Sequence, residues 1–401
     1  MKVCIIGLGY IGLPTALMMA AHGVEVEAVD YNHTIIDELN QGHVTFEEEG
    51  LEELFRKAVT AGINFRSDYP SCDFYVVAVP TPYIEESKKV DASYVVKAVQ
   101  QVISVCKENA IVVIESTISP GTIDKEIRPI VDNSKLKINL AHAPERIIPG
   151  NMVYELIHNS RTIGSDNTEV GEMIKKVYSS FCTGDIILTD IKTAEMSKVV
   201  ENTFRDINIA YANELAKICR KNNMDVYEVI RIANKHPRVN ILQPGPGVGG
   251  HCISVDPWFL VGDFPEQAKL IYQARLVNST MPEFVLERIT DIMSENGISD
   301  LSEVGLYGLT YKENVDDVRE SPTLQLLSLI EKKGLSSPMV FDPMVKTDLV
   351  IKQSHNYDAF INSVKMVVIL VGHTHLKNNM DSLANKIVLD TRNICENAYK
   401  L

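Results

Sequence analysis

An apolar run, Val3 to Ile6, breaks into a G-x-G-x-x-G turn at Gly7, Gly9 and Gly12, and a second apolar stretch follows from Leu13 to His22. The next segment, VEVEAVD, ends in Asp30, 18 residues beyond the third glycine. Strand, glycine turn, helix and a second strand closed by an acid make a βαβ unit, and few short patterns restrict a fold so far. The glycines permit the tight turn, close approach of a pyrophosphate and close strand-helix packing, while N–H groups at the helix start face the phosphates. Asp30 is placed to accept from ribose hydroxyls. A carboxylate there repels a 2′-phosphate, and Tyr31, Asn32 and His33 supply no permanent cation, so NAD is expected over NADP. A glycine-rich turn holding no ligand is the bland alternative.

Further β-rich runs at Asp73 to Val79, Ala110 to Glu115 and Ile138 to Ala141 alternate with helical stretches, as in a parallel sheet covered on both faces. From Lys192 to Ala233 apolar positions recur every three or four residues without a proline, which predicts a long central helix and a successor. The strand pattern restarts at VGLYGL near Val304, continues through a helix in SPTLQLLSLIEKKG and a strand in PMVFDP, and returns in VKMVVILV and KIVLD. The fold class is therefore α/β, with two Rossmann-like doubly wound domains joined by a long central helix. The expected division is an NAD-binding domain over 1–185, a central helical domain over 186–295 and a smaller C-terminal Rossmann-like domain over 296–401. The second βαβ unit lacks the glycine fingerprint, so the two are expected to bind different ligands.

A chain of 401 residues is long enough for two or three cores. No run of about 18 uninterrupted apolar residues occurs, and the glycine-broken opening reads as a buried strand, not a leader, so neither a membrane span nor a signal peptide is expected. Seven scattered cysteines without a CxxC pair fit neither a disulfide framework nor a metal site, which points to a reducing, cytoplasmic compartment. The formal net charge of −14 argues against nucleic-acid and anionic-membrane partners. An anionic ligand must then meet local Arg and Lys residues.

Thr81 in VAVPTP and Thr117 in IESTISPG follow two of the expected strands, where ligands sit in doubly wound sheets, although each could be a simple turn residue. Cys252 follows QPGPGVGG, in which four glycines and two prolines within eight residues preclude regular secondary structure. Most lone cysteines are inert and buried, and Cys4, Cys106 and Cys219 suit that description. Cys252, after a glycine loop and before Asp256, reads instead as an exposed nucleophile. Lys198 and Asn202, four apart, leave one face of the central helix and can bind an oxygen that gains negative charge.

These segments carry a resemblance. In GLGYIGLP, AVPTP, IESTISPGT, APERIIPGNMVYELIHNSRTIG, TAEMSKVVENTFRDINIAYANEL, NKHPRVNILQPGPGVGGHCISVDPWFL and GLTYKENVDDVRESP, in that order over the whole length, the chain resembles the UDP-glucose/GDP-mannose dehydrogenases. The HPRVNILQPGPGVGGHC and PERIIPGN blocks look like the branch acting on N-acetylated hexosamines, and the chain as a whole is most similar to the dehydrogenases of UDP-N-acetyl-D-mannosamine. The resemblance implies an NAD-dependent, four-electron oxidation of that UDP-sugar at C6 to the uronic acid, through a thiohemiacetal and a thioester on Cys252. UDP-N-acetylglucosamine or UDP-glucose are alternative substrates.

Carried over residue by residue, Lys198 would be acid/base or oxyanion partner with Asn202 beside it, Glu145 and Asp256 would orient water and the lysine, and Thr117 would hold a catalytic water. Tyr10, Ile11, Asp30, Thr81 and Thr117 would contact NAD with the three glycines, and Arg319 would reach it from the C-terminal side. Substrate contacts would fall to Arg146, Ile147, Lys198, Asn202, Arg205, His236, Arg238, Gly249, Tyr311, Lys312 and Arg392. The resemblance also implies a homodimer around the central helix, with part of the HPR segment serving the neighbouring subunit. Arg319 has Asp316 and Asp317 beside it as ordinary ion-pair partners. The chain departs from the family pattern at His142, Ala143 and Ser165. Two rivals stand beside this reading: a two-electron hydroxyacid-type dehydrogenase, which has no need of Cys252, and a nucleotide sensor without turnover.

Overall fold

In a computed structural model, which describes residues 2–401, the opening apolar run is strand β1 (Lys2–Ile6). It lies inside an eight-stranded sheet with β2 (Glu25–Val29), β3 (Asn64–Arg66), β4 (Phe74–Val77), β5 (Ile111–Ile114), β6 (Asn139–His142), β7 (Arg161–Ser165) and β8 (Ile186–Thr189). The order is β3-β2-β1-β4-β5-β6-β7-β8. All neighbours are parallel except β6 and β7. Successive residues of the inner strands feed opposite cores. Val3, Ile5, Phe74, Val76 and Val113 pack on one side; Cys4, Ile6, Tyr75, Val77 and Val112 pack on the other. Both faces are covered, which is why these strands are continuously apolar in sequence instead of alternating. Each fully buried aliphatic or aromatic side chain contributes about 1.5–3 kcal/mol.

A second sheet holds β9 (Val304–Tyr307), β10 (Met339–Phe341), β11 (Gln353–Ser354), β12 (Met366–Ile369), β13 (Ile387–Asp390) and β14 (Tyr399–Lys400), in the order β11-β10-β9-β12-β13-β14. All of its neighbours are parallel. This repeats the order of the first six strands, in keeping with the two Rossmann-like domains expected. The repeat extends to single bonds. Gly7 and Gly308 both take positive φ (91° and 102°), the Leu8 N–H donates to Asp30 at 2.8 Å, and the Leu309 N–H donates to Asp342 at 2.6 Å. In the second unit, however, buried His373 lies 3.2 Å from that carboxylate. Asp342 is held below the usual carboxylate range by its hydrogen bond with His373, against the effect of burial.

The long helix runs from Ile191 to Lys221 and its successor from Val226 to Ala233, within a residue of expectation at the outer ends. The chain divides into two compact units, Met1–Glu201 with Trp258–Phe264, and Asn202–Pro257 with Pro265–Leu401. Among the described residues no helix is long and apolar enough to cross a membrane.

Candidate active site

In the first unit the glycine turn is sterically required. A Cβ on Gly12 would lie 1.8 Å from the carbonyl oxygen of Gly7, and one on Gly7 would lie 2.5 Å from that of Ala78. Gly9 faces open space, which is where a phosphate can approach backbone. Tyr10 packs on Phe46, with ring centroids 4.5 Å apart. The buried Asp30 carboxylate ends β2 and accepts from the N–H groups of Leu8 and Asn32, each at 2.8 Å. Thr81 and Thr117 are brought together, the Thr81 hydroxyl donating to the Thr117 carbonyl at 2.7 Å. All these residues follow the adjacent strands β2, β1, β4 and β5, the carboxyl-end crevice of a doubly wound sheet. The glycine cradle and the ribose-side acid therefore fit NAD.

Beyond β6 the structure adds a buried charge cluster. Glu145 is ion-paired with Arg161 of β7, and a second carboxylate, Glu115, lies 3.4 Å from the same guanidinium. Tyr178 donates to Glu115 at 3.1 Å, and its ring carries the Arg161 guanidinium at 4.5 Å. Burial pushes the Glu115 carboxyl up to about 7, with Arg161 opposing and Glu145 adding to the rise. The unfolded chain releases this proton near the ordinary carboxylate value of 4.5. The native chain keeps it to about 7, so stability falls as pH rises through that window, and the cost is complete above it. Glu115→Gln is thus expected to raise Tm relative to the parent at pH 8 and to change it least near pH 5. Equal shifts at both pH values in thermal melts would count against this origin.

Arg146 is bracketed by the start of β7. Its guanidinium donates to the Ser160 carbonyl and the Thr162 hydroxyl, each at 2.9 Å, and pairs with Glu201 at 2.7 Å. Ile147, the next residue, is buried, and Lys198 on the long helix is buried too, at 6% exposure. His142, one of the departures from the family pattern, lies wholly inside β6 with Nδ1 2.8 Å from the Ile114 carbonyl. Burial pushes it down to about 3, so it is neutral and belongs to the sheet interior.

In the second unit Cys252 is exposed, while the other six cysteines are buried or half-buried. Its carbonyl accepts from the N–H groups of Val255 (3.1 Å) and Asp256 (2.9 Å), which opens the helix Asp256–Asp263. Asn202 donates to Asp256 at 2.6 Å, both side chains being buried. The glycine loop before Cys252 has no room for side chains. A Cβ on Gly249 would lie 2.6 Å from the Glu320 carbonyl and 2.7 Å from the Tyr311 Cβ, and one on Gly245 would lie 2.9 Å from the Arg392 guanidinium. Gly249 and Tyr311, predicted together from distant segments, are thus neighbours, and Arg392 meets the same loop at Gly245. The Gly250 N–H donates to the Arg319 carbonyl at 2.9 Å.

A buried relay that sequence reading missed fixes this loop to the long helix. The Gly245 N–H donates to Asn213 at 2.9 Å, Asn213 donates to Asn278 at 2.8 Å, and Asn278 and Arg275 donate to Asp206 at 2.8 and 2.6 Å. Charged or amide groups inside an otherwise apolar helix were the available signal, because buried polar groups need partners.

Arg205, His236 and Arg238 are exposed, the last two on the turn after Val226–Ala233, where the Arg238 N–H donates to His236 at 3.3 Å. Lys312 is half-buried, its carbonyl accepting from Thr310 at 2.9 Å. Arg319 belongs to the second unit and is ion-paired with Asp317 at 2.7 Å, the ordinary partner foreseen for it.

Two doubly wound sheets, one carrying a dinucleotide fingerprint and the other a glycine loop that ends in an exposed cysteine, define a nucleotide-dependent oxidoreductase. The chain belongs to the UDP-glucose/GDP-mannose dehydrogenase family: residues 1–182 match its NAD binding domain, 192–280 its central domain and 305–397 its UDP binding domain. It is an NAD-dependent nucleotide-sugar dehydrogenase. A UDP-N-acetyl-D-mannosamine dehydrogenase of Methanococcus maripaludis is 44% identical over 407 residues, spanning 98% of this chain and 93% of that protein. An NDP-N-acetyl-D-galactosaminuronic acid dehydrogenase of Ralstonia nicotianae is 39% identical over 408 residues, spanning 97% and 95%. The solved UDP-N-acetyl-mannosamine dehydrogenase of Staphylococcus aureus superposes with a TM-score of 0.90 at 39% identity, covering 100% of this chain and 97% of its own.

Proposed function

We propose that the chain oxidises C6 of UDP-N-acetyl-D-mannosamine to the carboxylate in two successive two-electron steps, with Cys252 as covalent nucleophile. The observation that carries this is an exposed thiol at the end of a glycine loop, beside the buried Asn202–Asp256 pair. NAD, when bound through the glycine turn, Tyr10, Ile11, Asp30, Thr81 and Thr117, supplies the hydride acceptor for both oxidations.

The Cys252 sulfur adds to the C6 aldehyde, giving a thiohemiacetal that keeps the carbon oxidisable; its oxidation leaves a thioester. Water then adds to the carbonyl, the C–S bond breaks and the thiolate leaves with the acid released. Lys198 and Asn202 stabilise the oxygen on C6 as it gains charge, and Asp256 fixes the amide of Asn202 so that it donates in one direction. Glu145 orients the water of the last step, helped by Thr117. The diphosphate and the sugar fall to Arg146, Ile147, Arg205, Gly249, Tyr311, Lys312 and Arg392, with His236 and Arg238 serving a neighbouring subunit and Arg319 reaching the cofactor. The forks of Arg205 and Arg392 suit the diphosphate because each can donate two parallel bonds, while that of Arg146 is already engaged with Ser160, Thr162 and Glu201. The reaction assigns cofactor binding to residues 1–185, dimerisation to 186–295 and UDP-sugar binding to 296–401, and its thiol suits the cytoplasm.

The test is a panel of UDP-N-acetylmannosamine, UDP-N-acetylglucosamine, UDP-N-acetylgalactosamine and UDP-glucose, scored by NADH release with NAD and with NADP. About two NADH per manno-configured sugar, with NAD preferred, is expected. The galacto epimer as the best substrate would favour the activity named for the Ralstonia relative, and one NADH per sugar would favour a hydroxyacid-type reaction.

The proposed homodimer draws support from the long helix, where Phe204, Tyr211 and Ile218 recur every seven residues and are 69, 54 and 48% exposed. Large apolar groups repeated along one helix face mark an association surface. Phe204→Glu with Tyr211→Glu is expected to halve the mass seen by light scattering, and an unchanged mass would remove this surface from consideration.

A further inference from the structure

Three consecutive residues at the start of β7 clamp the Glu145–Arg146 dipeptide. The Ser160 carbonyl and the Thr162 hydroxyl hold the Arg146 guanidinium, each at 2.9 Å, while Arg161 between them points to the other side and pairs with Glu145. The second oxygen of Glu145 accepts from the Arg146 N–H at 2.6 Å. Both carboxylate oxygens are therefore anchored, one to the neighbouring strand and one to the local backbone. Arg161 is itself restrained, its guanidinium 4.5 Å over the Tyr178 ring and 5.4 Å over that of Phe181.

A structural ion pair needs one carboxylate; here one buried cation serves two. Glu115, at the end of β5, is 1% exposed and its Oε2 has no hydrogen-bond partner. That unsatisfied oxygen in a dry site carries a cost of about 1–3 kcal/mol, which a purely structural cluster has no reason to keep. We propose that Arg161 is a positioning residue for Glu145, aiming its carboxylate at the water that hydrolyses the thioester, and that Glu115 and Tyr178 hold the guanidinium in that pose. This rests on the reading of Glu145 as the water-orienting group. Burial raises the Glu115 carboxyl to about 7, so below that pH Arg161 is left to the Glu145 carboxylate. The other titratable or charged groups around the cluster are Arg146 beside Glu145, Tyr178 and Cys182 on and after the helix Thr168–Tyr178, and Glu201 beyond Arg146.

The decisive readout is where turnover stalls. If Arg161 aims Glu145, removing it slows the last step selectively, and the sugar stays bonded to Cys252. Arg161→Met, Arg161→Lys and Glu145→Gln are compared in steady state and by intact mass after acid quench. In Arg161→Met, kcat is expected to fall about tenfold to a hundredfold, the scale of an ångström-sized misplacement. KM for NAD and for the UDP-sugar should stay within about twofold, with a sugar adduct on Cys252 accumulating as in Glu145→Gln. Arg161→Lys keeps the charge, loses the fork, and is expected to recover part of kcat; it carries the test if the methionine variant does not fold. Wild-type kcat in either Arg161 variant, or lowered kcat without adduct while Glu145→Gln accumulates it, overturns the proposal. Full turnover with no adduct in Glu145→Gln overturns the assignment of Glu145 and this inference with it.

Discussion

Cys252→Ala is expected to abolish acid formation while leaving NAD binding intact. The side chain is exposed, so its truncation opens no cavity in a core and the usual large-to-small penalty does not arise. The local backbone is tied through main-chain atoms: the Cys252 carbonyl takes the Val255 and Asp256 N–H groups, and the Gly250 N–H donates to the Arg319 carbonyl. The glycine turn and Asp30, which fit the cofactor, belong to the first compact unit, and Cys252 belongs to the second. Loss of the nucleophile should thus appear in the chemistry alone. Without a thiohemiacetal the aldehyde level has no tetrahedral carbon on the enzyme to oxidise, and the fall in acid formation should be on the order of 10³-fold or more, as when a covalent nucleophile is deleted. NAD binding by fluorescence titration and acid formation by NADH stoichiometry separate the two effects. Normal acid output from this variant would sink the covalent mechanism.

The legible parts of the molecule were those whose physics is local. Strands β1, β4 and β5 could be read because burial on both faces leaves uninterrupted apolar runs, and the long helix because a 31-residue element repeats its period many times. Strands β7 and β8 were not read. β7 opens on the charged Arg161, and its antiparallel pairing with β6 leaves no periodic trace. The site divides in the same way. Gly249, Cys252 and Asp256 could be found because glycine density and a lone thiol are visible in a few residues. The buried groups behind them were not visible: Arg161 finds Glu115 46 residues away, and Arg275 finds Asp206 69 residues away. Spacing carries no information about pairs that only the folded chain brings together. A charge placed inside an apolar strand or helix is the one sequence-level hint that such a pair exists.

Gly249→Ala should be nearly as damaging as loss of the thiol, although it removes nothing. The added methyl would lie 2.6 Å from the Glu320 carbonyl oxygen, 2.7 Å from the Tyr311 Cβ and 3.0 Å from the Pro322 Cδ. None of these is the free end of a flexible side chain, so the neighbours cannot yield and the loop itself must move. Its upstream end cannot follow easily, because Gly245 is held by the Asn213–Asn278–Asp206 relay. The displacement therefore falls on Gly250, His251 and Cys252. Overpacking of this kind costs about 1–3 kcal/mol of stability, which a fold of this size survives, whereas a shift near 1 Å at a reacting atom costs about a hundredfold in rate. The expected result is a folded protein with normal NAD binding, kcat lowered about a hundredfold, and an altered rate of Cys252 alkylation by iodoacetamide. Unchanged kcat in a folded Gly249→Ala protein would mean that the loop tolerates the methyl without moving the sulfur, and that the tight packing around Gly249 has no part in placing the nucleophile.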